Sequence, residues 1–316
     1  MKRIVIAEMM DPQGVSLLQT VGEVVYDPEL WDRPESLVAQ LSSAEALVVR
    51  NQTRVTSELL DEAKMLRVIG RLGVGLDNID VAAAKRRHIE VVAAIGANAI
   101  AVAEFVLAYC FSQSRQLVSV DQDVRQGHWN RTLGGFELYG KTLGIVGLGD
   151  IGQRLALRAR ALGLSVLASD PVRLPTHWTA MEGQVQLVEL DRLLSESDFV
   201  SLHVPLAPQT RHLIGHEALA QMKTSAYLIN TARGGIVDEA ALLKAIRSHA
   251  IQGALLDVRE VEPSLANDPL LSEPRIMLTP HISGLTQEAG VRTARLVADD
   301  VSRVLANQAP RASVVR

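Results

Sequence analysis

Cysteine is almost missing from this 316-residue chain: Cys110 stands alone. No intrachain disulfide can form, so a reducing compartment is the expected setting. Aromatic residues make up only 3%, too few for the stacking platforms that hold single-stranded nucleic acid. Charge of one sign is also lacking. The 32 basic and 36 acidic residues leave a formal charge of −4, which gives no global field to draw nucleic acid or an anionic membrane surface. A local basic pocket remains compatible with that balance. Long apolar runs are absent too. Ile4-Val5-Ile6-Ala7 stops at Glu8, too short for a signal-peptide core or a membrane span. The expectation is a cytoplasmic protein with no nucleic-acid partner, no membrane partner and no metal site.

What is present describes a globular chain. Apolar residues are 47% and charged residues 22%, close to the globular average and unlike a disordered, collagen-like or coiled-coil sequence. At roughly 150 residues per domain, the length suggests about two domains.

Short aliphatic runs alternate with helix-length amphipathic segments. In the first third the pattern predicts strands at 3–7, 23–26, 46–49, 68–69 and 90–92, with helices near 12–20, 34–41, 57–63 and 81–87. Such alternation implies βαβ units and parallel sheets. Residues 98–120 then read as one long helix, apolar nearly all round in its first half and so expected to lie buried as a connector between domains. The polar stretch 121–139 follows. A second series begins at Lys141, with strands at 142–146, 165–168, 199–202, 227–230, 254–257 and 276–278, and a final helix from about 285 to 305.

The sharpest local pattern is Gly147-Leu148-Gly149-Asp150-Ile151-Gly152. A strand-like TLGIV precedes this G-x-G-x-x-G and a helix-like segment follows it. The first glycine allows the tight turn, the second admits a pyrophosphate, and the third lets helix pack on strand. Asp170 comes 18 residues after Gly152, where an acid can bond the ribose 2′-hydroxyl and repel a 2′-phosphate, favouring NAD over NADP. Arg173 nearby could soften that preference. The alternative is a plain βα turn with a surface Asp cap.

Three segments follow strands and carry chemistry. Asn230-Thr231-Ala232-Arg233-Gly234-Gly235 presents an arginine fork suited to a carboxylate, or else a surface salt bridge. Asp257-Val258-Arg259-Glu260-Val261-Glu262-Pro263 offers Asp257 at a strand end, where it could meet a cofactor amide, with acids that are otherwise solvated loop charges. Thr279-Pro280-His281-Ile282-Ser283-Gly284 holds a histidine suited to general acid work. His203 also follows a strand and could line a cofactor site, whereas His88, His128, His177, His212, His216 and His249 read as surface or packing residues. Together, Arg, Glu and His have compatible roles. A histidine beside a carboxylate can give a proton to a ketone oxygen, and an arginine can hold the adjacent carboxylate. In the first unit, Gly70-Arg71-Leu72-Gly73-Val74-Gly75 can form an anion nest at the amides of Val74 and Gly75. A tight turn whose Asp77 or Asn78 caps the next helix is the alternative.

Taken in order and spacing, GRLGVGLDNID (70–80), GKTLGIVGLGDIG (140–152), SLHVPL (201–206), INTARGG (229–235), LLDVREVEP (255–263) and TPHISG (279–284) resemble the D-isomer-specific 2-hydroxyacid dehydrogenase family over nearly the whole chain. The resemblance implies an α/β fold of two parallel-sheet domains, Rossmann-like and flavodoxin-like. The NAD-binding domain (99–284) would be inserted within a substrate-binding domain (1–98 and 285–316), with a cleft between them. It implies Arg233, Glu262 and His281 as catalytic residues. It implies NAD contacts at Gly147, Gly149, Asp150, Ile151, Gly152, Asp170, His203, Pro205, Thr231, Ala232, Asp257 and Gly284. Val74 and Gly75 would hold the substrate carboxylate, and the protein would be a homodimer. Arg259 departs from the aromatic residue common in the family, so substrate or cofactor-edge contacts are expected to differ there. A sequence ending at 316 leads to the expectation of no further regulatory domain and no feedback by serine.

The substrate is expected to be a small 2-hydroxy or 2-keto acid. Arg50-Asn51 follows a strand end, with Arg71 and Arg131 expected nearby, and one of these arginines would bind an anionic tail such as phosphate or sulfonate. Local capping or pairing by Arg50 is the alternative. RNQTRV, RLGVGLDNID, GANAIAVAEF and PHISGLTQE are most similar to phosphoglycerate or sulfolactate dehydrogenases of the family. Two other readings are a hydroxypyruvate or glyoxylate reductase, and an NADH-sensing module like the family's corepressor branch, which keeps the same triad.

Overall fold

The computed structural model describes residues 2–171 and 185–314. Arg173 and His177 lie outside the described residues. The first elements are β1 (Arg3–Ile6), α1 (Pro12–Gln19), β2 (Glu23–Tyr26), α2 (Pro34–Leu41), β3 (Ala46–Val49), α3 (Ser57–Glu62), β4 (Val68–Arg71), α4 (Val81–Arg86) and β5 (Glu90–Ala93). There follow α5 (Ala99–Ser114), α6 (Leu117–Arg125), β6 (Thr142–Val146), α7 (Asp150–Ala161), β7 (Ser165–Ser169), β8 (Gln186–Leu187), α8 (Leu190–Glu196) and β9 (Phe199–Leu202). The last are α9 (His216–Gln221), β10 (Tyr227–Asn230), α10 (Glu239–Arg247), β11 (Gly253–Leu256), β12 (Ile276–Leu278) and α11 (Gln287–Leu305). The chain divides into two compact units, one of Met1–Asn98 with Leu285–Arg316 and one of Ala99–Gly284.

The first unit holds a parallel sheet in the order β2-β1-β3-β4-β5. Its central strand β3 is apolar and buried at every position because both faces are covered. Ile4, Ile6, Ala46 and Val48 pack on one side with Val297 and Val301 of α11. Val5, Leu47, Val49 and Ile69 pack on the other with Leu37, Leu60 and Ala83 of α2, α3 and α4. α11 comes so close that a Cβ at Gly70 would lie 2.6 Å from Val297.

The second unit holds a parallel sheet in the order β12-β11-β10-β9-β6-β7-β8. The chain builds outward from β6 through β7 and β8, then returns to β9 and builds the other way. β6 and β9 therefore flank the point where strand order reverses. Parallel α/β sheets place ligands beyond the strand C-termini at such a point. α5 packs on α7 and sends Ala103, Val106, Tyr109 and Cys110 into this unit's core.

The long helix read from 98 to 120 is not continuous. α5 ends at Ser114, and Gln116 takes a left-handed conformation with φ 51° before α6 begins. α5 is thus a core helix of the second unit, whereas α6 buries none of its residues. Apolar density alone cannot register a single left-handed residue, because the residues on either side keep ordinary helical character.

The few aromatic residues are concentrated. Phe199 is fully buried, stacks on Tyr227 at 5.4 Å and lies 6.3 Å from Phe136. Among the described residues no helix is long and apolar enough to cross a membrane. Because Phe199 anchors so much of the sparse aromatic packing, Phe199→Ala should destabilise the protein by about 3–5 kcal/mol. The measurement is the shift of the urea unfolding midpoint at unchanged slope.

Candidate active site

Each motif read from the second half of the sequence sits at the C-terminal edge of one sheet. Gly147 follows β6, Asp170 follows β7, and His203 with the exposed Pro205 follows β9. Thr231, Ala232 and Arg233 follow β10, Asp257 follows β11, and His281 follows β12. Parallel strands all point the same way, so the ladder that pairs Val146 with Leu202 and Asn230 with Leu256 also aligns the residues after them.

The glycine turn has the shape a dinucleotide needs. Gly147 has φ 95°, and a Cβ there would lie 2.7 Å from the His203 carbonyl. A Cβ on Gly149 would meet nothing within 4 Å, so this peptide faces open space. A Cβ on Gly152 would lie 2.3 Å from the Gly147 carbonyl, where helix and strand close on each other. α7 begins at Asp150, Ile151 and Gly152 with no side-chain cap, so its amides and positive dipole end can receive an anion. The Asp170 carboxylate accepts from the Leu148 amide at 2.8 Å, which fixes the acid beside the turn. Two buried polar atoms at this edge have no partner among the described residues, Nδ1 of His203 and Oγ1 of Thr231. The other ring nitrogen of His203 is 2.9 Å from Ser201 Oγ, and burial pushes the imidazole down to about 4, keeping it neutral. A cradle of small residues, an uncapped helix and orphaned polar atoms fit a dinucleotide.

Glu262 and His281 are brought together from two loops. Nδ1 of His281 lies 2.9 Å from Oε2 of Glu262, which leaves Nε2 of the half-exposed ring to exchange a proton. Partial burial raises the Glu262 carboxyl. The hydrogen bonds from His281 and the Arg259 amide, helped by the charges of His281 and Arg233, outweigh that and hold it below its ordinary value. Asp257, 1% exposed, supports the histidine loop. Its carboxylate accepts from Thr279 Oγ1 at 2.7 Å, Ile282 N at 2.8 Å and Ser283 N at 2.9 Å, and its carbonyl accepts from His281 N at 2.8 Å. Those bonds hold His281 at φ 56°, a conformation that costs a non-glycine residue stability unless its surroundings enforce it. The half-buried Gly284 closes the loop. The fully buried Asn230 shapes the arginine turn: its amide donates to the Arg233 carbonyl at 2.8 Å and its oxygen accepts from Ala232 N at 3.1 Å.

Arg259 turns inward. Its side chain is buried and bonded to Glu239 and Asp268. Among the described residues there is no cluster of three or more His, Cys, Asp or Glu able to hold a metal ion.

In the first unit, the loops carrying Arg50-Asn51 and Val74-Gly75 leave the C-terminal ends of the neighbouring strands β3 and β4. Glu8, read in the sequence only as the end of an apolar run, is buried at the end of β1. Its carboxylate accepts from the amides of Arg50, Asn51, Gln52 and Thr53 at 2.7, 3.1, 3.0 and 3.0 Å. Asn78 stitches the two loops by donating to the carbonyls of Arg50 at 3.2 Å and Thr53 at 2.7 Å. Asn51 and Val74 are exposed. Sequence reasoning missed Glu8, Asn78, Asn230 and the acids around Arg259. An acid or amide just after a strand or loop, where backbone amides need acceptors, is the signal that could have found them.

Residues 107–283 match the family model described as "D-isomer specific 2-hydroxyacid dehydrogenase, NAD binding domain". The chain is 44% identical over 306 residues to an (S)-sulfolactate dehydrogenase of Chromohalobacter salexigens, covering 96% of this chain and 99% of that protein. It is 40% identical over 306 residues to a D-3-phosphoglycerate dehydrogenase of Methanocaldococcus jannaschii, covering 96% of this chain and 58% of that longer protein. It is also 40% identical over 290 residues to a hydroxypyruvate reductase of Thermotoga maritima, covering 91% and 93%. Among solved structures it is similar to the TT0316 protein of Thermus thermophilus, with a TM-score of 0.90, 34% identity and 99% of each chain covered. The chain belongs to the D-isomer specific 2-hydroxyacid dehydrogenase family.

The glycine geometry separates ligand binding from folding. Gly149→Ala should leave the unfolding midpoint nearly unchanged while weakening NADH binding by about an order of magnitude or more. Gly152→Ala should instead cost about 1–3 kcal/mol of stability. Fluorescence titration with NADH and urea denaturation of both variants check the contrast.

Proposed function

We propose that the chain is an NAD-dependent oxidoreductase that interconverts a small 2-hydroxy acid and its 2-keto acid. The observation that carries this reading is the Glu262–His281 pair standing at the same sheet edge as Arg233 and the glycine turn. Bound NADH supplies a hydride to C2 of the keto acid. His281 gives its Nε2 proton to the carbonyl oxygen as that oxygen gains charge, and takes it back in the oxidation. Glu262 orients the ring through Nδ1. Arg233 binds the substrate carboxylate and polarises the carbonyl beside it. Asp170 selects the unphosphorylated ribose, and His203, Pro205, Thr231, Ala232, Asp257 and Gly284 shape the remainder of the nucleotide site.

The amides of Val74 and Gly75 are read as holding the substrate carboxylate. Their place on the loop after β4 supports an anion nest. Arg50 and Asn51, on the loop held by Glu8, are read as binding an anionic tail of the phosphate or sulfonate type. The relatives named for phosphoglycerate and sulfolactate support that class. A hydroxypyruvate or glyoxylate reductase is the second reading, favoured by the Thermotoga maritima relative. We also read the protein as cytoplasmic, in keeping with its buried lone thiol, and as a homodimer. Exposed Leu117, Val118, Val124, Trp129 and Tyr139 lie within one stretch of the second unit, and a second copy would cover them.

NADH oxidation should be measured with hydroxypyruvate, glyoxylate, pyruvate, phosphohydroxypyruvate and sulfopyruvate. Turnover should occur, be fastest with an anionic tail, and fall by about 10²–10⁴-fold in kcat for His281→Ala while NADH still binds. Near-normal kcat in that variant would remove His281 from the mechanism. Arg50→Ala should raise KM for the anionic-tail substrate about tenfold or more and leave hydroxypyruvate little changed. Equal effects on both substrates would exclude Arg50 as the tail-binding residue.

A further inference from the structure

Arg259 is buried at 8% exposure within two residues of an exposed loop acid, an expensive place for a charge unless every donor is used. Nearly all of them are. Nε and Nη2 donate to the two oxygens of Glu239, both at 2.9 Å. Nη2 also donates to Asp268 Oδ2 at 2.6 Å, and Nη1 donates to Ser264 Oγ at 2.8 Å. The partners lie on both sides of Glu262 in sequence. Glu239 opens α10, whereas Ser264 and Asp268 come after the turn. The guanidinium therefore closes the segment 259–268 into a loop, and Glu262 sits inside it.

Two further contacts fix the same peptide. Glu239 Oε1 accepts from the Glu260 amide at 2.9 Å. On the opposite side, a Cβ at Gly234 would lie 2.0 Å from the Arg259 carbonyl carbon and oxygen and 2.4 Å from Glu260 N. The 259–260 peptide is thus held between Glu239 and the turn that carries Arg233. From that position the Arg259 amide donates to Glu262 Oε1 at 2.9 Å, and the other oxygen of Glu262 meets Nδ1 of His281.

We propose that Arg259 is a positioning residue for the Glu262–His281 pair: its guanidinium clamp on Glu239, Ser264 and Asp268 holds the turn whose amide aims the Glu262 carboxylate at the histidine. This rests on the reading of Glu262 and His281 as the acid–base pair. A buried ion pair contributes little net stability compared with apolar packing, but its bond directions can select one geometry among several.

Arg259→Lys keeps the charge and loses the two-pronged bond to Glu239. Its kcat should fall about tenfold, with KM and the NADH dissociation constant changed less than about twofold. In a Glu262→Gln background the same substitution should cost less than about twofold, because the residue it positions is already disabled. Asp268→Asn, which removes one prong near the surface, should show a weaker effect with the same dependence on Glu262, and it serves if Arg259→Lys fails to fold. Equal losses in both backgrounds, or an unchanged kcat in both variants, would overturn the proposal. The His281 ring resonances, followed by NMR in the cofactor-free protein, give a reading that needs no turnover. They should move in Arg259→Lys and Asp268→Asn when Glu262 is present and stay still when it is Gln. A wild type inactive on all 2-keto acids would sink the proposed reaction, whereas motionless ring resonances would sink the clamp.

Discussion

The Asp257 carboxylate is nearly sealed from solvent, and its hydrogen bonds to Thr279, Ile282 and Ser283 decide where His281 stands. An ionised carboxylate inside a protein is tolerated when backbone and hydroxyl donors replace its water, and such charge-assisted bonds are short and strongly directed. Here they bend the chain after β12 back toward β11 and hold His281 at a positive φ. The pairing with Glu262 is available only once that bend exists. The placement of His281 beside Glu262 depends on that one buried carboxylate.

The same device recurs. Glu8 gathers four successive amides after β3. Glu239 gathers the Arg259 guanidinium and the Glu260 amide. Asp300 of α11 accepts from the amides of Arg311 and Ala312 at 2.7 and 2.9 Å and so ties down the segment beyond the last helix. Parallel sheets bring many loops to one edge but offer those loops no ladder partners. Buried acids supply the missing acceptors, so these loops are built around acid side chains turned inward. The formal charge near neutrality conceals this arrangement.

The framework was largely legible. Apolar runs separated by helix-length segments located eleven of the twelve described strands to within a residue or two, because parallel strands buried on both faces leave little freedom in composition, whereas the two-residue edge strand β8 was not read. The glycine turn was legible for a similar reason: each glycine occupies a place where a Cβ would block backbone or ligand approach. The break at Gln116 was not legible, since the flanking residues have ordinary helical character. Arg259 was visible as a departure, but its partners were not. Its partners Glu239 and Asp268 lie 20 and 9 residues away, and nothing local marks them as its ligands.

Periodicity and residue type thus carried what depends on short range: strand, helix, turn, and the identity of the groups able to move a proton or hold an anion. Tertiary structure alone decided which of the many charged residues face inward. Glu8 and Glu239 look in sequence like any solvated charge, and nothing local marks Asp257 or Arg259 as facing inward. Their burial is set by chain crossings that bring amides and counter-charges from distant segments around them. A charge can be buried only where those partners arrive together, and that condition is a property of the folded whole.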